Sequence, residues 1–349
     1  MRFHALILIG ALIAPSLFAT GQSESSPEVV HVYSHRHYDT DQALFQRFEE
    51  LTGIEVQVVE AGADELIQRL AAEGPNTPVD VLITVDAGRL YQASDEGLLR
   101  PIESPAVLGA VPDHLRASSG EWVALTIRSR IIAYHRDRVD PARLSTYEAL
   151  TGDEFAGQVA IRSSSNIYNI SLLASIIAND GEAAAREWAA GMLDSFAREP
   201  QGNDRDQMRA VASGEADLAV VNTYYVGRML TSSDPADVAV AEQIGVFFPN
   251  QPGVSGSDGR GAHINVSGAG VTRHADNPDG AARLLEFLLS DEAQAAFAQA
   301  NYEYPIRPGI ELAPEVAAWG EFVADELPLE DLGRYGREAT VIFDEVGWR

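Results

Sequence analysis

No cysteine and no lysine occur anywhere in these 349 residues. Without cysteine there is no disulfide, no thiolate metal site and no iron–sulfur cluster, and a lipid-anchored amino terminus is not expected. Stability must come from a buried core, which a chain of this length with 46% apolar residues can supply, most simply as two domains. Without lysine every one of the 25 basic residues is arginine, against 52 acidic ones, for a formal charge of −27. Such a chain lacks the positive footprint that nucleic acid requires. The acids are dispersed, not gathered in one tract, and read as a solvated surface. Gly256-Ser257-Asp258-Gly259 is glycine-rich but has no lysine to serve a phosphate loop.

Long apolar runs are scarce too. Ala5 to Ala14 follows Arg2 and leads into Pro15 and the small residues Ala19-Thr20-Gly21, the pattern of a cleavable secretory leader. No later stretch approaches the ~20 residues of a spanning helix. The reading is a leader over residues 1–21, a linker over 22–27, and an exported mature chain, periplasmic where the host is Gram-negative; a Gram-positive host would need some other tether.

The mature chain alternates strands and helices. Val29 to Tyr33, Ile54 to Val59 and Val79 to Thr84 read as strands; between them Asp39 to Thr52 carries Leu44, Phe45, Phe48 and Leu51 at helical spacing, and Ala63 to Ala72 is a second helix. This rhythm predicts an α/β fold on a parallel sheet, with ligands outside the carboxyl ends of the strands. Trp122 to Tyr134 is too long for an ordinary strand and turns polar from Thr126 to Arg130, as a first crossing between two lobes would. A second series comes next, with strands Gln158 to Arg162 and Asp217 to Asn222 and helices Ile167 to Ala178, Ala183 to Ala197 and Asp206 to Ser213. His263 to Thr272 reads as the return crossing, before helices Pro278 to Leu289 and Asp291 to Ala300. The expected division is 28–125 with 262–309 for lobe one, and 126–261 with 310–349 for lobe two.

Tyr224 and Tyr225 stand together where the apolar run Leu218 to Asn222 ends. Two adjacent phenols at a strand exit make a poor core and a good pair of hard oxygen donors. His37 and Tyr38 in SHRHYDTD, and Tyr168 in SSSNIYNIS, also lie just beyond strands. A hard trivalent cation prefers anionic oxygen, so the set suggests Fe(III). A tyrosine, with a pKa of ~10, becomes such a ligand only by giving up its proton to the metal. Tyr38 precedes a helix for which Asp39 or Thr40 is the expected cap, and the positive end of that helix favours a phenolate. Tyr224 and Tyr225 would face opposite sides of a continuing strand, so both reach one ion only if the chain turns at Asn222-Thr223. His35 faces the same side of its segment as His37 and competes with it.

These segments resemble the periplasmic ferric-ion-binding proteins of ABC-type iron(III) importers, in the subgroup whose site has one histidine and four tyrosines. The resemblance covers essentially the mature chain, through YSHRHYDTD, NTYYVGRM, HINVSGAGV and SDEAQ with NYEYP. It implies the two-lobed periplasmic-binding-protein (type II) fold with two hinge crossings and a central cleft, in a monomer that is no enzyme. It also implies that ferric ion is held by His37, Tyr38, Tyr168, Tyr224 and Tyr225 and passed to an ABC permease and its ATPase in the inner membrane. Four phenolates around Fe(III) leave one excess negative charge, which Arg36, Arg128 or Arg130 could offset or use to hold an anion such as carbonate; the alternative for each is an ordinary salt bridge.

Other readings are weaker. The same fold could take a phosphonate, thiamine or a polyamine, but none of these explains the tyrosines. An exported metallo-hydrolase using His35 and His37 with Asp39 has no third ligand or general base at motif spacing. Tyr134, Tyr302, Tyr304 and His263 read as structural.

Overall fold

The computed structural model describes residues 28–349. The expected leader and linker, residues 1–27, lie outside the described residues.

Ten strands share one continuous sheet: β1 (Val29–Ser34), β2 (Glu55–Glu60), β3 (Val81–Val85), β4 (Leu99–Arg100), β5 (Trp122–His135), β6 (Val159–Ala160), β7 (Leu218–Asn222), β8 (Ile244–Phe247), β9 (Ile264–Thr272) and β10 (Tyr304–Pro305). The main path runs β2-β1-β3-β9-β5-β7-β6. β1 pairs in parallel with β2 and β3, as the βαβ rhythm predicts. β9 departs from a purely parallel sheet: it returns from the far side of the molecule and therefore lies antiparallel to both β3 and β5.

β5 explains the two-lobed form. Its first half, Trp122 to Ser129, pairs with β9, and its second half, from Arg130, pairs with β7 and β8. The ladder changes partner between Ser129 and Arg130, inside the polar stretch that marks the crossing, after a bulge between Ala124 and Thr126. β9 can lie this close because it carries glycine at the contacts: a Cβ on Gly268 would fall 2.6 Å from the Val123 carbonyl oxygen.

The buried apolar residues divide accordingly. One core gathers Val30 to Leu125 with Ile264 to Phe297, Ile306, Leu329 and Leu332. Two others lie on either side of β5 and β7: one with Leu172, Leu173, Trp188, Ile342 and Trp348, the other with Met208, Val226, Met229 and Phe248. Helix Asp39–Thr52 buries Leu44, Phe45 and Phe48 against the first core, whereas Leu51, in the last turn and past the packed stripe, is exposed. The tail serves both halves, with Leu332 in the first core and helix Gly336–Val346 in the second.

Candidate metal centre

Three chain exits build the site. β1 ends at Ser34, and residues 35–38 lead to helix Asp39–Thr52. The N-cap of that helix is Tyr38 itself, extended at φ −97° and ψ 144°, and no side chain caps it. Asp39 and Thr40, the expected caps, are already inside the first turn; the cap position must keep extended backbone, and Tyr38 supplies it. Helix Ile167–Asp180 starts under Asn166, whose side chain accepts the Tyr168 N–H at 3.1 Å, so Tyr168 falls in the first turn. The third exit holds the bend on which the adjacent tyrosines depend. β7 stops at Asn222 and helix Thr223–Leu230 begins at once. Consecutive helical residues diverge by ~100° instead of the strand's half-turn, so both phenols can turn toward one space. Their rings lie 4.2 Å apart, tilted by 30°.

His35, His37, Tyr38, Tyr168, Tyr224 and Tyr225 all line one cavity of about 430 Å³. The hydroxyls of Tyr168 and Tyr224 approach to 3.3 Å. Burial, reinforced by Tyr168 and Tyr38, pushes the Tyr224 hydroxyl well above its ordinary pKa; burial and Tyr168 do the same at Tyr225. Tyr38 is pushed up by burial and Glu303, with Arg36 and Arg228 opposing. These phenols stay protonated at neutral pH until a cation displaces the protons. Of the two histidines, His37 is exposed and turns Nδ1 to the His35 carbonyl at 3.3 Å, leaving Nε2 for the cavity. His35 is pushed down to about 4 by burial and by Arg89, His37 and Arg128, and so is neutral. Among the described residues no group of three or more histidines and carboxylates could hold a metal, which leaves this cavity's phenols as the hard donors.

The arginines part company. Arg36 is buried and gives all its N–H groups to two carboxylates, Nε and Nη2 to Asp41 and Nη1 and Nη2 to Glu303, at 3.0–3.1 Å. It is the salt-bridged alternative, with nothing left for an anion, though its charge sits 5.0 Å from the Tyr38 ring. Arg130 is likewise tied, to Asp204 at 2.9 Å and Asn169 at 2.9 Å. Arg128 is 1% exposed, yet none of its three nitrogens has a hydrogen-bond partner among the described residues. Its guanidinium lies 5.2 Å over the Tyr168 ring, which Arg162 and Arg130 also flank at 5.4 and 5.7 Å. His263 lies buried beside Arg128 and Arg130, outside the main cavity.

Asn203, Arg205 and Arg228 also line the cavity and were not anticipated from the sequence. Arg228 stands 4.6 Å over the Tyr38 ring and donates to Asn301 at 3.1 Å. It is four residues after Tyr224, a helical neighbour once the helix is known to start at Thr223. Arg205 belongs to helix Asp204–Ser213, which begins two residues earlier than the periodicity suggests; the Asn203 and Asp206 capping box is the signal that marks the true start.

A two-lobed α/β clamp with its donors at strand exits around a cleft defines an extracytoplasmic solute-binding protein. The chain belongs to the bacterial extracellular solute-binding protein family, whose model matches residues 43–324, and within it to the periplasmic ferric-ion-binding proteins. It is 48% identical over 341 residues to iron uptake protein A1 of Synechocystis sp., covering 95% of this chain and 93% of that one. A solved structure of FutA (IdiA) from Trichodesmium, in complex with iron and citrate ligands, superposes with a TM-score of 0.88 at 44% identity, covering 92% of this chain and 100% of that one. The ferric binding protein from Campylobacter jejuni gives 0.86 at 44% identity, with 92% and 100% covered.

Proposed function

We propose that His37, Tyr38, Tyr168, Tyr224 and Tyr225 together hold one ferric ion in the cavity between the lobes, and that an ABC permease and its ATPase receive the ion from the loaded protein. The chain is a periplasmic binding protein of iron uptake, with Fe(III) as its transported ligand, and not an enzyme. The observation that carries the ligand assignment is the convergence of four phenols and His37, from three separate chain exits, on one cavity. A phosphonate, thiamine or polyamine as cargo is not favoured.

The lobes are best drawn from the cores. Residues 28–125 with 262–309 form lobe one and 126–261 forms lobe two; residues 310–349 divide, since Leu329 and Leu332 pack with the first core and Ala339 to Trp348 with the second. Four phenolates on Fe(III) would leave one negative charge, and Arg128, buried without a carboxylate hydrogen bond, is placed to offset it. Arg205 and Arg228 border the cavity, and neither has a carboxylate within salt-bridge distance among the described residues, so they are the groups to hold an accompanying anion such as carbonate.

The test is direct. Purified protein given Fe(III) should develop a visible phenolate-to-iron charge-transfer band, and metal analysis should return one iron per chain. A colourless protein that fails to retain ferric ion would overturn the reading.

A further inference from the structure

Asp86 follows β3 in an uncommon backbone conformation, φ 96° and ψ 123°, which a side chain adopts only when its surroundings hold it there. It is fully buried, so its carboxylate depends on donors from the protein. Two come from its own lobe: the Gly88 N–H at 2.8 Å, where Asp86 caps helix Ala87–Asp95, and Asn265 Nδ2 at 2.7 Å from β9. Asn265 is itself fixed, since its Oδ1 accepts the Ala87 and Val266 N–H groups at 2.9 and 2.8 Å. The third donor comes from the other lobe. The Ser171 hydroxyl bridges both carboxylate oxygens at 2.9 and 2.8 Å.

Ser171 lies on helix Ile167–Asp180, whose Leu172, Leu173 and Ile176 pack in the second core, while Ala87 and Leu90 beside Asp86 pack in the first. The bond thus joins the two lobes, and a motion that separated them here would break it and lose its contribution. We infer that Asp86 and Ser171 form a latch between the lobes, which holds them closed over the bound ion and slows its release. Neither residue lines the cavity itself. The inference rests on the ferric reading for its cargo and on the lobe contact alone for its effect on closure.

The experiment uses the full mature chain with Ser171→Ala, Asp86→Asn and the double variant. Iron release to excess chelator is followed by loss of the charge-transfer band, and the shape of metal-free and loaded protein by small-angle scattering. A hydrogen bond to a charged acceptor predicts that Ser171→Ala takes up iron with an unchanged band and releases it about ten- to a hundredfold faster. Scattering should show a larger open fraction. In the Asp86→Asn background the same change should have only a few-fold effect, because the two residues act as one contact. Release at the wild-type rate, or two effects that simply multiply, would overturn the latch. If the wild-type protein forms no band, the ferric reading fails, and scattering alone decides the latch: identical curves for wild type and Ser171→Ala refute it. Should Ser171→Ala fail to fold, Asp86→Asn, which keeps the shape and tolerates the positive φ, gives the same two readouts.

Discussion

The hydroxyl oxygens of Tyr168 and Tyr224 lie 3.3 Å apart although 56 positions separate the two residues in the chain. One opens a helix after β6 and the other a helix after β7, and these strands are parallel neighbours. As phenols the two share a hydrogen bond; as phenolates they would repel unless a cation lay between them. Replacing Tyr224 with phenylalanine removes one anionic donor and leaves its ring in place. The expected result is a weakened and shifted charge-transfer band, with ferric affinity down by more than about a hundredfold, since even outer-shell partners of a metal are worth ten- to a hundredfold. Visible titration against a competing chelator measures both.

Acid should empty the site. Tyr38, Tyr224 and Tyr225 are all pushed above the ordinary phenol pKa, in each case first by burial, so at any pH below that range each must surrender a proton before it binds. Each proton displaced makes the apparent affinity rise tenfold per pH unit, so the four phenols proposed as ligands predict a rise of up to about ten-thousandfold per unit. His35, pushed down to about 4, stays neutral and adds nothing between pH 5 and 8. Chelator competition across that interval should give a steep slope; an affinity independent of pH would contradict phenolate ligation.

Some of this was legible in the sequence and some was not, because the signals depend on different things. β1, β3 and β7 announce themselves as apolar runs bounded by polar residues, and β5 by a length and a polar middle that fit no ordinary strand. β4 and β10 have two residues each, too few for any period, while β6 falls inside the expected strand Gln158 to Arg162 but is only Val159–Ala160. The bend after Asn222 was legible as a polar pair beside two aromatics, and the backbone turns there into a helix. Arg128 shows the limit. In a chain with 52 acids every arginine has partners to choose from, and only the fold shows that Arg36 takes two carboxylates while Arg128 takes none.

Gly227 sets the fit between lobes. It lies on helix Thr223–Leu230 and faces Tyr302, which follows helix Asp291–Ala300 and is held at φ 60°. A Cβ on Gly227 would come within 2.7 Å of Tyr302 Cβ and Cγ, the part of that side chain least able to move. Overpacking of this kind costs about 1–3 kcal/mol. The two residues belong to different lobes, so the cost is expected to fall on the closed form. Gly227→Ala is expected to hold iron about ten- to a hundredfold less tightly, while the melting temperature of the metal-free protein barely changes. Chelator competition and calorimetry separate the two quantities, and an equal loss in both would place the clash in the fold instead of the closure.

Asp204 should prove costly in a different way. It is fully buried and accepts Arg130 Nη1 at 2.9 Å, Arg162 Nη1 at 3.2 Å and the Asn222 N–H at 2.8 Å. One carboxylate thus ties the crossing strand β5, the end of β7 just before Tyr224 and the helix that bears Arg205. Asp204→Ala leaves two guanidiniums beside the Tyr168 ring without their counter-ion, and breaking a buried pair in this way costs about 3–5 kcal/mol. Asp204→Asn keeps an acceptor for the Asn222 N–H and should recover part of that loss. Glu182→Ala, which breaks the exposed pair with Arg186, should leave stability nearly unchanged, because solvent screens that pair. Urea unfolding of the metal-free proteins measures all three. Iron retention then shows whether the junction after Asn222 needs Asp204 to present Tyr224: if it does, Asp204→Asn keeps both stability and iron better than Asp204→Ala.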